Sequence, residues 1–352
     1  MWGVSTLNYC AYFYYQDAIL VDSSYLRYTT HMIVFDGYQL AQQKERQLAA
    51  KITAHFSQSK LVIAAILFTQ DTGSRLYTRL KGEAAARVGI EYRVFEFSVS
   101  DPVVTIQEKL DELGTDPEIT GIIIQKPWRK TWKEAQSESV KQEFLQDSET
   151  RKKERAAYEQ WWQQLTVHIN PTKDVDGLHP TTIGHIATGK HKENKRVLPA
   201  TCQAVITIFD QAASQLSALI GPENTRKIFD GKYIIIGKSD LLGIPLFYEL
   251  LNQNKTVELI ASKQLQERMQ SGQKLLDAAV VITATGISGL ITADMIAQGS
   301  VVIDVGEPKP DVDFAAVSQK TAFITPVPGG VGPLTVISLL ENCVELAIQQ
   351  QS

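Results

Sequence analysis

The segment KYIIIGKSDLLGIPLFYELL, residues 232–251, decides the fold. Its apolar run between Lys232 and Gly237 predicts a buried strand, and LFYELL predicts a helix whose first turn contains Pro245. A loop that contains Gly237 and Gly243 joins the two elements. The amino end of a helix after such a loop is where a dinucleotide pyrophosphate binds, because free backbone N–H groups face the anion there. The glycine spacing departs from GxGxxG, so the neighbouring strands must support the prediction.

Strand-like runs surround this segment on both sides. Downstream they occupy residues 256–262, 278–286, 300–306 and 322–327, and upstream residues 61–68, 92–99 and 119–125, with helical stretches between them. Alternation of strand and helix predicts βαβ units and parallel sheets. The chain is therefore predicted to be an α/β protein with two α/β domains, the second a Rossmann-like, doubly wound nucleotide domain.

A length of 352 residues fits two domains. We place the first domain at 32–180 and 326–352, so that a C-terminal helix returns to it, and the nucleotide domain at 181–325. The charged, tryptophan-flanked residues 129–165 are interpreted as an insertion, a largely solvated helical hairpin whose ends pack together or onto a neighbour. Residues 1–31 are interpreted either as an adventitious extension before Met32 or as a surface-docking arm.

Composition excludes several classes of protein. With 44% hydrophobic and 21% charged residues the chain is typical of a globular protein, and a net charge of −4 offers no basic field for nucleic acid. Three scattered cysteines have no metal-ligand spacing, so no metal is expected and a reducing, cytoplasmic compartment fits best. The longest apolar runs are interrupted within about ten residues, which predicts no membrane-spanning helix.

Ser74, Tyr77 and Lys81 begin a predicted helix after the strand at 61–68. Tyr77 and Lys81 are four residues apart and share a helix face, so both can point into a cleft at the carboxyl end of the sheet. The same spacing is common in solvated pairs on surface helices. A second candidate, Asp176, precedes Gly177 in the connection between the domains, where it either accepts from a ligand's amino group or caps a turn.

Two further stretches indicate ligand binding. TPVPGGVGPLT, residues 325–335, combines three prolines with three glycines, which suits a fixed backbone shape against a flat ligand. At the end of the second nucleotide-domain strand the chain has Ala261-Ser262-Lys263, where NAD enzymes tend to carry an acid. With Lys238 beside Ser239, these donors favour NADP, and NAD stays the alternative.

These motifs, in this order, resemble those of the bifunctional methylenetetrahydrofolate dehydrogenase/methenyltetrahydrofolate cyclohydrolase family, also called the FolD family. The resemblance extends from about Met32 to the C-terminal helix and rests on PVPGGVGPLT, KDVDG, VVIDVG and the S-x-x-Y-x-x-x-K helix. It implies NADP-dependent oxidation of methylenetetrahydrofolate and hydrolysis of the methenyl product to 10-formyltetrahydrofolate. It also implies a cytoplasmic homodimer that serves one-carbon metabolism and purine biosynthesis.

The resemblance implies a role for each matching residue. Lys81 corresponds to the catalytic lysine of hydrolysis, Gln125 to the glutamine that orients it, and Tyr77 to a tyrosine that stacks on the folate. Asp176 corresponds to the carboxylate that holds the pterin's amino edge, with Pro328, Gly329 and Gly330 also at the substrate. The implied cofactor-binding residues are Gly237, Lys238, Ser239, Gly243, Ser262, Thr285, Gly286, Gly306 and Thr335.

Several segments depart from the family pattern. QKPWR (125–129) stands where the family usually has QLPLP, PATCQA (199–204) replaces PCTPxG, Tyr38 replaces a lysine, and Pro310 replaces a glycine. These changes motivate two alternatives. One is a non-catalytic folate- or nucleotide-binding relative whose insertion docks a partner, and the other is a dehydrogenase-only variant.

Overall fold

The structure of the protein is a computed structural model that describes residues 32–136, 148–307 and 309–351. The predicted extension at residues 1–31 and the centre of the predicted insertion lie outside these residues. Within the described ranges the chain forms two parallel β-sheets with helices packed around them, which confirms the predicted α/β class. Helices and strands are numbered below in chain order.

The smaller sheet has the order β3-β2-β4, and all its strands are parallel. Its strands are β2 (Leu61–Phe68), β3 (Ile90–Phe97) and β4 (Gly121–Ile124). Every residue of the central strand β2 is buried. A strand covered on both faces needs apolar side chains at every position, which explains the unbroken run LVIAAILF. Helix α1 (Gly37–His55) precedes β2, α2 (Thr72–Val88) follows β2, and α3 (Val103–Thr115) follows β3.

The larger sheet has the order β1-β9-β8-β7-β5-β6. Its strands are β1 (Ile33–Val34), β5 (Tyr233–Ile236), β6 (Val257–Ile260), β7 (Val280–Thr283), β8 (Val301–Asp304) and β9 (Phe323–Ile324). All the pairs are parallel. The strand order reverses between β5 and β7, so the topological switch point of this doubly wound sheet lies at their carboxyl ends, where ligands bind in such folds.

The remaining helices are α4 (Arg129–Glu134), α5 (Ser148–Thr166), α6 (Pro180–Ala187), α7 (Ala200–Ile220), α8 (Pro222–Phe229), α9 (Gly243–Asn252), α10 (Ser262–Gln270), a 3₁₀ turn at Ala293–Met295, α11 (Phe314–Ser318) and α12 (Val331–Gln351). Helix α12 is long and apolar enough to cross a membrane, contrary to the sequence-based expectation, but 61% of its apolar window is buried. It packs against α1 and α7, and Asn342 Nδ2 donates to the carbonyl oxygens of Val175 and Leu198 at 2.9 Å.

Strand β1 departs from the predicted domain division. Residues 32–180 were assigned to the first domain, yet Ile33 and Val34 pair with Phe323 and Ile324 at the edge of the larger sheet. A strand of two residues has too little periodicity to indicate which sheet it joins, so only the tertiary pairing reveals its place.

The described ends of the predicted insertion are helical, but they are not mainly solvated. Trp132 of α4 and Tyr158, Trp161 and Trp162 of α5 are each no more than 8% exposed, and they join the core beside β2. The rings of Trp132 and Tyr158 lie 5.5 Å apart between centroids. The prediction of a largely solvated hairpin was therefore wrong for this side of the helices, because charged residues on the outer face hid an aromatic inner face.

Trp162→Ala should lower the free energy of unfolding by about 3–5 kcal/mol, since it removes a large side chain from a close-packed core. Trp162 is 1% exposed, whereas Trp128 is 48% exposed. Trp128→Ala is the matched control and should cost less than about 1 kcal/mol. Denaturant unfolding of both variants measures the difference, and equal losses would contradict the burial of Trp162.

Candidate active site

Asp71 fixes the start of helix α2, which supplies three predicted site residues. Its Oδ1 accepts from the backbone N–H of Ser74 at 2.7 Å. Its Oδ2 accepts from the backbone N–H of Trp128 at 2.8 Å and from Thr131 Oγ1 at 2.9 Å. This carboxylate is 2% exposed and caps α2 while it holds the segment that leads into α4. The helix that carries Tyr77 and Lys81 is therefore anchored directly to the chain that follows β4.

The structure brings Lys81, Gln125 and Asp176 together. Lys81 Nζ donates to Gln125 Oε1 at 3.3 Å, and both side chains are less than 9% exposed. Asp176 is 7% exposed, and its Oδ1 accepts from the backbone N–H of Ala200 at 3.3 Å. Lys81 and Asp176 are close enough for the charge of each to act on the pKa of the other. The alternative interpretation, that Lys81 and Tyr77 form a solvated pair on a surface helix, is therefore wrong for Lys81.

Burial sets the protonation of this cluster. It lowers the pKa of Lys81, and the nearby Asp176 carboxylate only partly opposes this effect. Burial also raises the pKa of Asp176 to about 6, against the opposing charge of Lys81. A lysine with a lowered pKa has a larger neutral fraction near neutral pH, and only the neutral amine can accept a proton.

Two polar atoms near this cluster lack partners within the described residues. They are Gln125 Nε2 and the hydroxyl oxygen of Tyr92, both buried. Burial raises the pKa of Tyr92, and the Asp176 charge adds to this effect, so the tyrosine stays neutral. Tyr77 is half-buried on α2, one turn before Lys81. Unsatisfied buried donors are costly, so a ligand with acceptor atoms would be favoured beside Gln125.

The predicted cofactor loop lies at the switch point of the larger sheet, after β5. A Cβ atom on Gly243 would lie 1.8 Å from the carbonyl oxygen of Gly237, so only glycine allows α9 to start so close to the strand end. Ser239 Oγ accepts from the backbone N–H groups of Leu242 and Gly243, at 3.2 and 3.4 Å. A tight glycine loop that leads into a helix fits the pyrophosphate of a dinucleotide.

The loops after β7 and β8 lie along the same sheet edge. Asp311 Oδ2 accepts from the backbone N–H and the hydroxyl of Thr285, at 2.6 and 2.9 Å, and so fixes the loop that contains Gly286. The N–H of Gly306 donates to Asp304 Oδ1 at 2.8 Å. These residues lie where a nicotinamide nucleotide would cross the carboxyl ends of the strands.

The proline- and glycine-rich loop after β9 contacts the start of α1. The N–H of Gly37 donates to the carbonyl oxygen of Gly329 at 2.9 Å. The ring of Tyr38 packs on the same loop, since a Cβ atom on Gly329 would lie 2.9 Å from Tyr38 Cε2. Gly330 is buried and Pro328 is exposed. Thr335 lies in the first turns of α12, where its hydroxyl donates to the carbonyl oxygen of Val331 at 3.4 Å.

Lys238 lies in the loop after β5 and Ser262 at the start of α10, and both are exposed. Neither is held by a side-chain hydrogen bond in the described structure, so their positions rest on the backbone alone.

A cavity of about 330 Å³ is lined by residues of β1, α1 and α7, including Asp36, Gln39 and Gln211, and it contains none of the predicted site residues. Within residues 32–136, 148–307 and 309–351, no cluster of three or more His, Cys, Asp or Glu side chains could hold a metal ion.

Sequence reasoning did not single out Lys126 and Asp240 as site residues. Lys126 Nζ lies 2.9 Å from both carboxylate oxygens of Asp240. The signal was present, because Lys126 replaces the usual leucine after Gln125 and Asp240 follows Ser239. The pair shows that the end of β4 and the loop after β5 face each other across one cleft.

The fold and the site define a two-domain α/β protein with a nucleotide-binding switch point that faces a buried Lys-Gln-Asp cluster. The sequence profile described as "Tetrahydrofolate dehydrogenase/cyclohydrolase, catalytic domain" matches residues 35–143. The profile described as "Tetrahydrofolate dehydrogenase/cyclohydrolase, NAD(P)-binding domain" matches residues 199–351. The chain is 31% identical over 322 residues to the bifunctional protein FolD of Bacillus subtilis (strain 168), an alignment that covers 89% of this chain and 97% of the relative.

Solved structures agree with these sequence matches. A bifunctional FolD enzyme from Campylobacter jejuni aligns with a TM-score of 0.70 at 27% identity, over 91% of this chain and 99% of that one. A 5,10-methylenetetrahydrofolate dehydrogenase from the silkworm, Bombyx mori, aligns with a TM-score of 0.70 at 26% identity, over the same shares of the two chains. The protein belongs to the tetrahydrofolate dehydrogenase/cyclohydrolase family. It is a methylenetetrahydrofolate dehydrogenase and methenyltetrahydrofolate cyclohydrolase that uses a nicotinamide nucleotide.

Proposed function

We propose that Lys81, Gln125 and Asp176 perform the folate chemistry, and that NADP is the preferred nucleotide. The observation that supports the first part is the buried hydrogen bond between Lys81 Nζ and Gln125 Oε1, beside the carboxylate of Asp176. This arrangement combines a proton acceptor, a group that orients it, and an acceptor for a ligand's amino edge.

In hydrolysis, the oxygen of water forms a bond to the methenyl carbon and a proton passes to neutral Lys81 Nζ. The bond between that carbon and N5 of the folate then breaks as N5 takes up the proton from Lys81, and the added hydroxyl gives up its remaining proton to solvent, so that a formyl group with its C=O bond stays on N10. Gln125 Oε1 holds the Lys81 amine in place, and Gln125 Nε2 is free to donate to the substrate. Tyr77, half-buried one turn before Lys81, would stack on the folate.

Oxidation makes different demands on the chain. The methylene carbon gives up a hydride, and the lone pair of the neighbouring nitrogen stabilises the resulting iminium. The nicotinamide ring, when bound, would supply the hydride acceptor. No general base is required, so the residues act by alignment. Asp176 would hold the pterin's amino edge. Gly237, Ser239 and Gly243, with the loops around Thr285 and Gly306, would hold the nucleotide.

The end of β6 supports a preference for NADP. The strand ends at Ile260, and α10 begins at Ser262, so the N-terminus of a helix lies where NAD enzymes usually place an acid. Lys238 lies exposed in the neighbouring loop. A helix N-terminus and a lysine favour an extra phosphate on the ribose, because both attract negative charge.

A single absorbance assay tests the proposal. The purified enzyme, given methylenetetrahydrofolate and NADP⁺, should produce NADPH and then consume the methenyl intermediate. The kcat/KM with NADP⁺ should exceed that with NAD⁺. A preference for NAD⁺ would refute the nucleotide assignment, and NADPH formation with lasting accumulation of the methenyl product would favour the dehydrogenase-only variant. Nucleotide binding without turnover would favour the non-catalytic alternative.

We also propose a cytoplasmic homodimer that supplies formyl groups for purine biosynthesis. The family resemblance and the wide spacing of the cysteines in sequence support this assignment; within the described residues, Cys202 and Cys343 are both buried and free. Nucleic-acid and membrane partners are not expected. A monomer mass by analytical ultracentrifugation at micromolar concentration would refute the dimer. The partner-docking role for the insertion loses support, since three of the four tryptophans at its ends, Trp132, Trp161 and Trp162, are buried within this chain, and Trp128 alone is exposed.

A further inference from the structure

Lys126 and Asp240 form an ion pair between two elements that are 114 residues apart in sequence. Lys126 follows β4 of the smaller sheet, and Asp240 lies in the loop between β5 and α9 of the larger sheet. Lys126 Nζ is 2.9 Å from Oδ1 and 2.9 Å from Oδ2 of Asp240. The two side chains are 16% and 30% exposed, so solvent screens this pair less than it screens a surface ion pair.

The insertion encloses this pair with aromatic side chains from α5. Trp162 Nε1 donates to Asp240 Oδ2 at 2.7 Å. Lys126 Nζ lies 4.9 Å from the ring centroid of Trp162 and 5.7 Å from that of Tyr158. The hydroxyl of Tyr158 donates to the carbonyl oxygen of Pro127 at 2.5 Å, so α5 also fixes the backbone beside Lys126. Both charges are therefore held in place by one helix of the insertion.

The pair lies at the junction of the two proposed sites. Lys126 is adjacent in sequence to Gln125, and Asp240 is adjacent to Ser239 of the cofactor loop. The charge of Asp240 also contributes to the raised pKa of Asp176, which places Asp240 on the same cleft. Glu159 of α5 lies 3.8 Å from Lys126 Nζ and adds a second acidic contact.

A carboxylate in this loop creates a problem for binding a nucleotide. The start of α9 attracts the pyrophosphate anion, but an unpaired Asp240 three residues before Gly243 would repel it. Pairing with Lys126 neutralises this charge, and the hydrogen bond from Trp162 fixes the orientation of the carboxylate. The lysine that departs from the family pattern in QKPWR thus offsets the charge of Asp240 on the other side of the cleft.

We propose that Lys126 is a positioning residue for nucleotide binding, which acts by neutralising and holding Asp240 in the cofactor loop, with the insertion helix α5 keeping the pair in place. This inference rests on the proposed nucleotide site. It assigns a function inside the cleft to the substitution of lysine in QKPWR and to the aromatic residues of the insertion.

The test uses the full chain and measures NADPH binding by fluorescence, without turnover. Lys126→Met should raise the dissociation constant of NADPH by at least about tenfold, because Asp240 then faces the anion unpaired. Asp240→Asn alone should change it by less than about threefold. The double variant should return to within about threefold of the parent value, since the repelling charge is gone. Trp162→Phe, which removes the hydrogen bond to Asp240 and leaves a smaller ring over Lys126, should weaken binding in the same direction by a smaller factor.

Lys255→Met is the matched control. Lys255 Nζ pairs with Asp230 Oδ1 at a distance of 3.1 Å, and this pair lies outside the cleft. NADPH binding should then change by less than about twofold. Steady-state kinetics of Lys126→Met should show a raised KM for NADP⁺ with a much smaller change in kcat. Added salt should weaken the binding defect of Lys126→Met relative to the parent, because ions screen the repulsion.

Failure of rescue by Asp240→Asn would overturn the proposal, as would unchanged NADPH affinity in Lys126→Met. If Lys126→Met does not fold, Lys126→Gln with and without Asp240→Asn gives the same comparison. A parent enzyme that binds NADPH but does not oxidise methylenetetrahydrofolate would contradict the proposed function alone, since this test depends on binding.

Discussion

Replacement of Lys81 with methionine should lower the rate of methenyltetrahydrofolate hydrolysis by about 10²–10⁴-fold. Methionine matches the length of the lysine side chain but cannot accept a proton from the attacking water. Lys81 is 8% exposed, and burial lowers its pKa, so its neutral form is available to accept that proton. The loss of methenyl absorbance in the absence of nucleotide measures this rate directly.

The same variant should keep its affinity for NADPH, because Lys81 belongs to α2 and the nucleotide loop lies after β5. Lys44→Met is a suitable control, since Lys44 is a partly buried lysine that pairs with Glu341 at 2.9 Å outside the cleft. Equal hydrolysis by the Lys81 variant and the parent enzyme would contradict the assignment of Lys81 as the base.

Asp176→Asn should raise KM for methylenetetrahydrofolate by about 10–100-fold, the effect of losing a hydrogen bond to a buried charged acceptor. Asparagine has nearly the size of aspartate, so the fold should be retained. Its side-chain amide, however, carries an NH₂ donor in place of one carboxylate oxygen. The substrate's amino edge then loses its charged acceptor. NADPH affinity should stay near the parent value, and Asp313→Asn, at an exposed helix cap, is the matched control.

The pH dependence of the parent enzyme gives a second measurement of the same residue. The pKa of Asp176 is raised to about 6, so the carboxylate is ionised above that pH and protonated below it. KM for the folate should therefore rise as the pH falls through about 6, and this rise should be absent in Asp176→Asn. A parent KM that is constant between pH 5 and 8, roughly, would contradict the role of Asp176.

The free energy of unfolding of the apoenzyme should fall as the pH rises through this range, whereas folate binding should improve. The folded-state pKa of Asp176 lies above its ordinary value of 3.8, so folding favours the protonated form. This contribution is fully present below that ordinary value and is lost as the pH rises through about 6. Asp176→Asn should reduce that decline, which thermal unfolding across this pH range can record.

Much of the local structure was predictable because its causes are local. The run at 61–68 became the fully buried strand β2, and the segment at 232–251 became β5, its glycine loop and α9. The spacing of Tyr77 and Lys81 placed them on one helix, the position of Asp176 between the domains made it a candidate, and the resemblance added Gln125. Their meeting with Lys81 follows from the sheet order, which local periodicity does not report.

The insertion shows where sequence reasoning reached its limit. Its charge density predicted a solvated hairpin, yet Trp161 and Trp162 lie in the core beside β2. Charged residues on one face of a helix do not reveal what the other face contacts, because that depends on an element distant in sequence. The same reason concealed the pairing of β1 with β9.

The sequence by itself determined the α/β class, and its resemblance to a known family indicated the family and the lysine, glutamine and aspartate that we propose for the folate site. The class follows from apolar runs and turn residues within short segments, and the resemblance rests on short motifs. The tertiary structure alone decided that Lys81 is desolvated beside Gln125, and that Lys126 meets Asp240 under Trp162. Burial and charge pairing depend on chain segments brought together only by folding, and these set the pKa values and the contacts across the cleft.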